Sequence, residues 1–163
     1  MSTNENDVLR EEIIQLRNEL EEYKQMIEHI SVPIIPSIIP ETNLVPITGK
    51  LTAQRLEMII STIIESPYNK NVTTIVVDFT GVTTEHIQGL DLGIFGSYIQ
   101  KLTSTLRLMG IQTLFTGFSP AIARELIHLE ETVYQKLKTF LNFSYALTYL
   151  MKQKKLSLQK SKD

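Results

Sequence analysis

The sequence contains no cysteine and no tryptophan. Without cysteine there is no disulfide, no thiolate nucleophile and no cysteine-bound zinc, which suits a reducing cytoplasm. Without tryptophan the core has to be aliphatic, helped by six Phe and six Tyr. No glycine-rich turn follows a strand-like run, so a dinucleotide-binding fingerprint is lacking. No stretch approaches the roughly 20 consecutive apolar residues of a membrane span. The acidic, polar N-terminus holds no apolar signal region. Neither sign of charge dominates: the formal net charge is −2, which makes no electrostatic case for nucleic acid. What remains is 163 residues, 42% hydrophobic and 21% charged, enough for one modest domain and an appendage.

Residues 8–30 carry the clearest periodicity. Leu9, Ile13, Leu16, Leu20, Tyr23, Ile27 and Ile30 alternate steps of four and three. That is a heptad seam, with Ile13, Leu20 and Ile27 at a and Leu9, Leu16, Tyr23 and Ile30 at d. β-Branched a with Leu at d favours two parallel strands. Arg10, Arg17 and Lys24 occupy e; Glu12 and Glu19 occupy g. In a parallel, in-register homodimer Glu12 faces Arg17 and Glu19 faces Lys24, whereas an antiparallel pair sets like charges together. A seam this narrow differs from the broad apolar face of a helix packed on its own domain. So short a coil needs support from the domain behind it. The expected organisation is a dimeric coiled-coil helix over 1–31, a Pro-rich connector over 32–41, a domain over 42–152 and a basic tail over 153–163.

Pro33, Pro36 and Pro40 end the helix. The connector predicts a short edge segment and then a strand over about 43–48, itself placed at an edge by Pro46. Thr52 caps a helix over 53–65, with Leu56, Ile59, Ile60 and Ile63 inward. The β-branched run 73–79 reads as a central strand. A helix over 86–108 follows, ended by Gly110. "IQTLFTG" is the next strand. Ser119-Pro120 opens a helix running to about Leu129. A short last strand lies in "YQKLKTF" and a last helix over 142–153. Strands alternating with helices predict an α/β fold, with a small, largely parallel sheet of four to five strands.

Four segments carry a family likeness in the right order: "SVPIIP" at 31–36, "LVPITGKLTAQRLEMI" at 44–59 with Gly49 and Arg55, "VVDFTGV" at 76–82, and "LMGIQTLFTGFSPAIARELIHL" at 108–129. Together they resemble the STAS domain (sulfate transporter and anti-sigma factor antagonist), most closely its RsbR-type members, which build bacterial stressosomes. The likeness spans about residues 31–150. It implies a SpoIIAA-like fold, and the N-terminal helix is similar to the dimeric linker helix of that group. The sensor domain that precedes that helix in the family has no counterpart here. The resemblance further implies a cytoplasmic, non-enzymatic regulator of the stress response with no cofactor. Its partners would be itself, other STAS-domain proteins and a serine/threonine kinase of the anti-sigma type, in a partner-switching pathway that controls a sigma factor. It implies neither nucleic acid nor membrane.

In typical members the turn after the position of Asp78 carries Asp-Ser or Asp-Thr, and the hydroxyl accepts phosphate. With Gly89 and Leu90 in register, His86 takes the aspartate position and Ile87 the acceptor position. RsbR-type proteins often carry a second acceptor threonine after the Pro, and that position is Glu125. Both acceptors are therefore replaced. Two readings follow: a plain scaffold, or fixed carboxylates at Glu85 and Glu125 standing in for phosphate, with Glu85 in the first turn of the 86–108 helix. Thr83 and Thr84 are candidate displaced acceptors or helix caps. His86 alone, with no second ligand at helical spacing, makes no metal or acid–base site. Gly89, Gly93 and Gly96 read as close packing of one helix on the sheet, not as a phosphate cradle. Lys152, Lys154, Lys155, Lys160 and Lys162 read as a solvated tail. Alternatives are a direct anti-sigma factor antagonist and a small-ligand or nucleotide-binding STAS module with its ligand at the 80–90 turn.

Overall fold

The computed structural model describes residues 2–30, 32–67, 70–128 and 134–156, with the side chains of residues 2, 3, 28–30 and 125 outside that description. The chain divides into two compact units, Met1–Ser31 and Val32–Asp163. The first is a single helix, α1 (Ser2–Ile30). Its seam residues Leu9, Ile13, Leu16, Leu20, Tyr23 and Ile27 are all between 48% and 68% exposed in the single chain; the side chain of Ile30 lies outside the described residues. No described helix is long and apolar enough to cross a membrane.

The second unit is α/β. Its strands are β1 (Ile35–Pro36), β2 (Thr42–Thr48), β3 (Thr74–Gly81), β4 (Gln112–Thr116) and β5 (Lys138–Phe140). They lie in that order in one sheet. β1 is antiparallel to β2, and the other pairs are parallel. The helices are α2 (Ala53–Glu65), α3 (Leu92–Leu108), α4 (Pro120–Leu126) and α5 (Phe143–Gln153).

Side-chain alternation divides the core into two. Val45, Ile47, Ile75, Val77, Phe79 and Phe115 pack with α2, α3 and α4 through residues such as Ile59, Ile63, Phe95, Leu102, Leu106 and Ile122. The intervening Val76 and Leu114 turn to the other face, where Ala146 and Leu150 of α5 cover them with Ile39. Each residue of a strand points opposite to the next, so a strand covered on both faces is apolar throughout. That explains why 75–77 reads as an unbroken Ile-Val-Val run.

Local chemistry sets the helix starts. Thr52 accepts from the Arg55 N–H at 3.1 Å, Asp91 from Gly93 N–H at 2.9 Å, and Asn142 from Tyr145 N–H at 3.1 Å. Each satisfies one of the donors a helix leaves open at its first turn. The four apolar residues expected on the inner face of α2 are all buried.

Three expectations are corrected. β2 is not the edge: the two-residue β1 covers Asn43 and Leu44, and β2 runs free on that side only past this point, where Pro46 sits and the pairing to β3 shifts register before Thr48. The helix expected from residue 86 begins at Leu92; residues Thr84–Ile87 form a separate 3₁₀ turn, and Gly89 at φ +81° lies between the two. Only Gly93 and Gly96 are therefore on the helix. One charge of the expected tail is folded onto the domain, where Lys154 Nζ donates to the Pro40 carbonyl at 2.5 Å and pairs with Glu41 at 3.7 Å. α4 ends at Leu126, short of the expected Leu129, and the lysines at 160 and 162 fall outside the described residues.

Candidate functional site

The carboxyl ends of parallel strands leave backbone groups and loops free for recognition, because the following helices pull the chain away from the sheet there. β3 ends in Asp78-Phe79-Thr80-Gly81. Asp78 Oδ1 accepts from the Thr80 hydroxyl at 2.6 Å, from the Thr80 N–H at 3.2 Å and from the Thr116 hydroxyl at 2.6 Å. Thr116 is fully buried, so its hydroxyl needs this partner. One carboxylate thus ties the ends of β3 and β4 together. Close backbone packing completes the junction: a Cβ at Gly117 would lie 2.8 Å from the Thr80 Cα, and one at Gly81 would lie 2.7 Å from the Thr48 Cγ2.

The turn beyond β3 gathers Thr83, Thr84, Glu85, His86 and Ile87. Thr83, Thr84 and Glu85 are exposed, and His86 is half-buried. The His86 Nδ1 accepts from the Thr83 N–H at 3.1 Å, and the His86 carbonyl accepts from the Leu51 N–H at 2.8 Å. The imidazole is thus a cap that closes the 3₁₀ turn, with Nδ1 as its unprotonated nitrogen. Ile87 is 6% exposed and belongs to the main core. Its side chain anchors the turn from below. Neither Thr83 nor Thr84 caps α3; that role falls to Asp91, because the helix starts after Gly89. Glu85 accordingly is not in the first turn of α3 and gains nothing from its dipole.

Arg55 joins the site from α2. Its guanidinium donates to the Lys50 carbonyl at 2.7 Å and the Thr48 carbonyl at 2.5 Å, and burial lowers its pKa from the ordinary arginine value. It closes the β2–α2 loop, whose Lys50 and Leu51 form one wall of a cavity of about 340 Å³; Gln88, Gly89 and Asp91 form the other. Glu125 lies in α4, after β4, and its side chain is outside the described residues. Among the described residues no group of three His, Asp or Glu side chains is placed to hold a metal ion. Sequence reasoning missed the Asp78–Thr116 tie. The signal was present in part: Asp78 and Thr80, two apart on a strand, share a face.

No family model matches the chain. In sequence it is similar to the RsbT co-antagonist protein RsbRD of Bacillus subtilis, 26% identical over 111 residues, 68% of this chain and 37% of that protein. In structure it is similar to a serine-to-glutamate variant of RsbS from Moorella thermoacetica, with a TM-score of 0.60 at 19% identity, covering 77% of this chain and 98% of that one. It is also similar to a chain from a structure of the stressosome, described there as a signal integration and transduction hub, with a TM-score of 0.56 at 16% identity over 76% of this chain and all of that one. The fold is that of a STAS domain. Within that class, the chain is similar in sequence to three RsbT co-antagonist proteins of Bacillus subtilis, at 24–26% identity. It spans less than two fifths of the length of the RsbT co-antagonists it matches.

Proposed function

We propose that the protein is a non-enzymatic regulatory scaffold of a stressosome-like assembly. It packs with other STAS-domain chains and holds or releases a serine/threonine kinase of the anti-sigma type, without being phosphorylated at the positions its family uses. The observation that carries this reading is Ile87. It stands at the family's acceptor position, carries no hydroxyl and is built into the core, so the turn keeps its shape without a switchable group. The structural likeness to a stressosome chain supports the assembly, and the relatives' names, RsbT co-antagonists, support a role in antagonising a partner protein. The exposed α1 seam supports a parallel homodimer, because six large apolar side chains in a heptad row are left bare in one chain and oppositely charged g and e positions flank them. The catalytic alternative has no nucleophile paired with a base and an orienting group among the described residues.

The test is the native mass and composition of the tagged protein drawn gently from its own cell lysate. A very large particle containing other STAS chains and a kinase is the expected result. A bare dimer, or a small complex with one anti-sigma kinase, overturns the scaffold reading in favour of direct antagonism.

A further inference from the structure

At the end of the sheet opposite the 80–91 turn, a second cavity of about 340 Å³ opens between the last turn of α3 and the starts of β4 and β5. Three cations line it, Arg107, Lys136 and Lys138, together with Thr103, Gln112 and Thr113; no described carboxylate does. Like charges gathered without a counter-charge raise each other's energy, so a basic cluster needs a compensating reason. The ion pairs of the second unit do not include these residues: among the described residues the pair there is Lys154 with Glu41. Nor does the helix end absorb them. The carbonyls of Thr105, Leu106 and Arg107 already accept from the N–H groups of Met109, Gly110 and Ile111.

Lys138 is turned to the α5 face of the sheet, where its Nζ donates to Gln112 Oε1 at 3.3 Å and to the Tyr149 hydroxyl at 3.2 Å, so Arg107 and Lys136 are the cations left for a ligand. One further observation points to a ligand. The hydroxyl oxygens of Thr103 and Thr113 are both buried with no hydrogen-bond partner, and Thr113 is only 7% exposed. An orphaned buried hydroxyl is costly, and two of them meet at one basic cavity.

We infer that this cavity binds a multiply charged oxyanion of the phosphate class, either free phosphate or a small phosphomonoester. Arg107 supplies the planar fork suited to two phosphate oxygens. Lys136 supplies a point charge. Thr103 and Thr113 supply hydroxyls free to rotate and donate. The volume lies at the lower end of the roughly 300–1,000 Å³ of small-molecule sites. No aromatic side chain lines the cavity, so a nucleobase has nothing to stack on.

The experiment is an amide NMR titration of the full chain with inorganic phosphate and, separately, glycerol 3-phosphate, against chloride at matched ionic strength. Saturable shifts at Gly110 to Thr113 are expected. The double variant Arg107→Gln/Lys136→Gln should weaken binding by at least about tenfold, and Lys101→Gln should leave it unchanged. Thr113→Val should fold with undiminished stability, since it removes an orphaned polar group, and bind less tightly. Tighter binding of glycerol 3-phosphate identifies a phosphomonoester; the reverse identifies free phosphate. The proposal is sunk by a failure of both probes to saturate, or by shifts scattered over surface lysines that the double variant does not change, which marks an adventitious ion only.

Discussion

Ile87 and Asp78 show how single side chains decide what the β3 turn can do. Ile87 is a core residue, so placing a hydroxyl there removes an anchor. Ile87→Ser should lower stability by about 2–5 kcal/mol, the range for truncating a buried aliphatic side chain, and should gain no phosphate from a kinase, because the position faces the core. Urea unfolding and phosphate incorporation measure the two halves; an undiminished midpoint would show that the turn does not depend on Ile87. Asp78 is the complementary case of a polar residue with a structural task. Asp78→Ala should cost about 2–3 kcal/mol, because it orphans the buried Thr116 hydroxyl as well as losing a charge-assisted bond. Thr116→Val removes that hydroxyl without orphaning another group and should cost less. Equal losses in the two variants would contradict the role given to Asp78.

Among the elements, α1 stands apart because its apolar residues have no cover within its own unit. Leu16→Glu with Leu20→Glu should abolish the dimer while the circular dichroism of the second unit persists. Sedimentation equilibrium would decide it. Orientation is tested by charge. Glu12→Lys with Glu19→Lys should weaken a parallel pair by about 0.2–1 kcal/mol per contact, and adding Arg17→Glu with Lys24→Glu should restore it. Failure of the second pair to rescue the first excludes the parallel register. The seam, the inner face of α2, the apolar β3 run and the Ser119 start of α4 were all legible in sequence, since period and cap chemistry are local properties. The break between the 3₁₀ turn and α3 was not. Helical periodicity continues through 86–91, and both Thr83 and Asp91 are acceptable caps. The competition is settled by Ile87 packing into the core and by Gly89 taking a positive φ, which no single-helix pattern reveals.

For the whole molecule, the question is whether charge on α4 matters to assembly. On the scaffold reading, Glu125→Ala should leave the composition of the isolated particle unchanged, and Glu125→Thr should do the same unless the new hydroxyl is phosphorylated. Mass spectrometry of the pulled-down material, with phosphosite mapping, measures both. Loss of a kinase subunit from the Glu125→Ala particle would instead give that carboxylate the role of a fixed phosphate.

The sequence by itself determined the class of fold, the heptad seam and the helix caps at Thr52 and Ser119. These are matters of residue type and spacing, which act over a turn of helix or a few residues of strand. The tertiary structure decided which strand lies at the edge, where α3 begins, that Ile87 is buried, and that Asp78 joins Thr116 from the neighbouring strand. It alone brought Arg107, Lys136 and Lys138 to one cavity. Arg107 lies far from the two lysines along the chain, and only the side-by-side pairing of β4 with β5 and the return of α3 over the sheet make them neighbours.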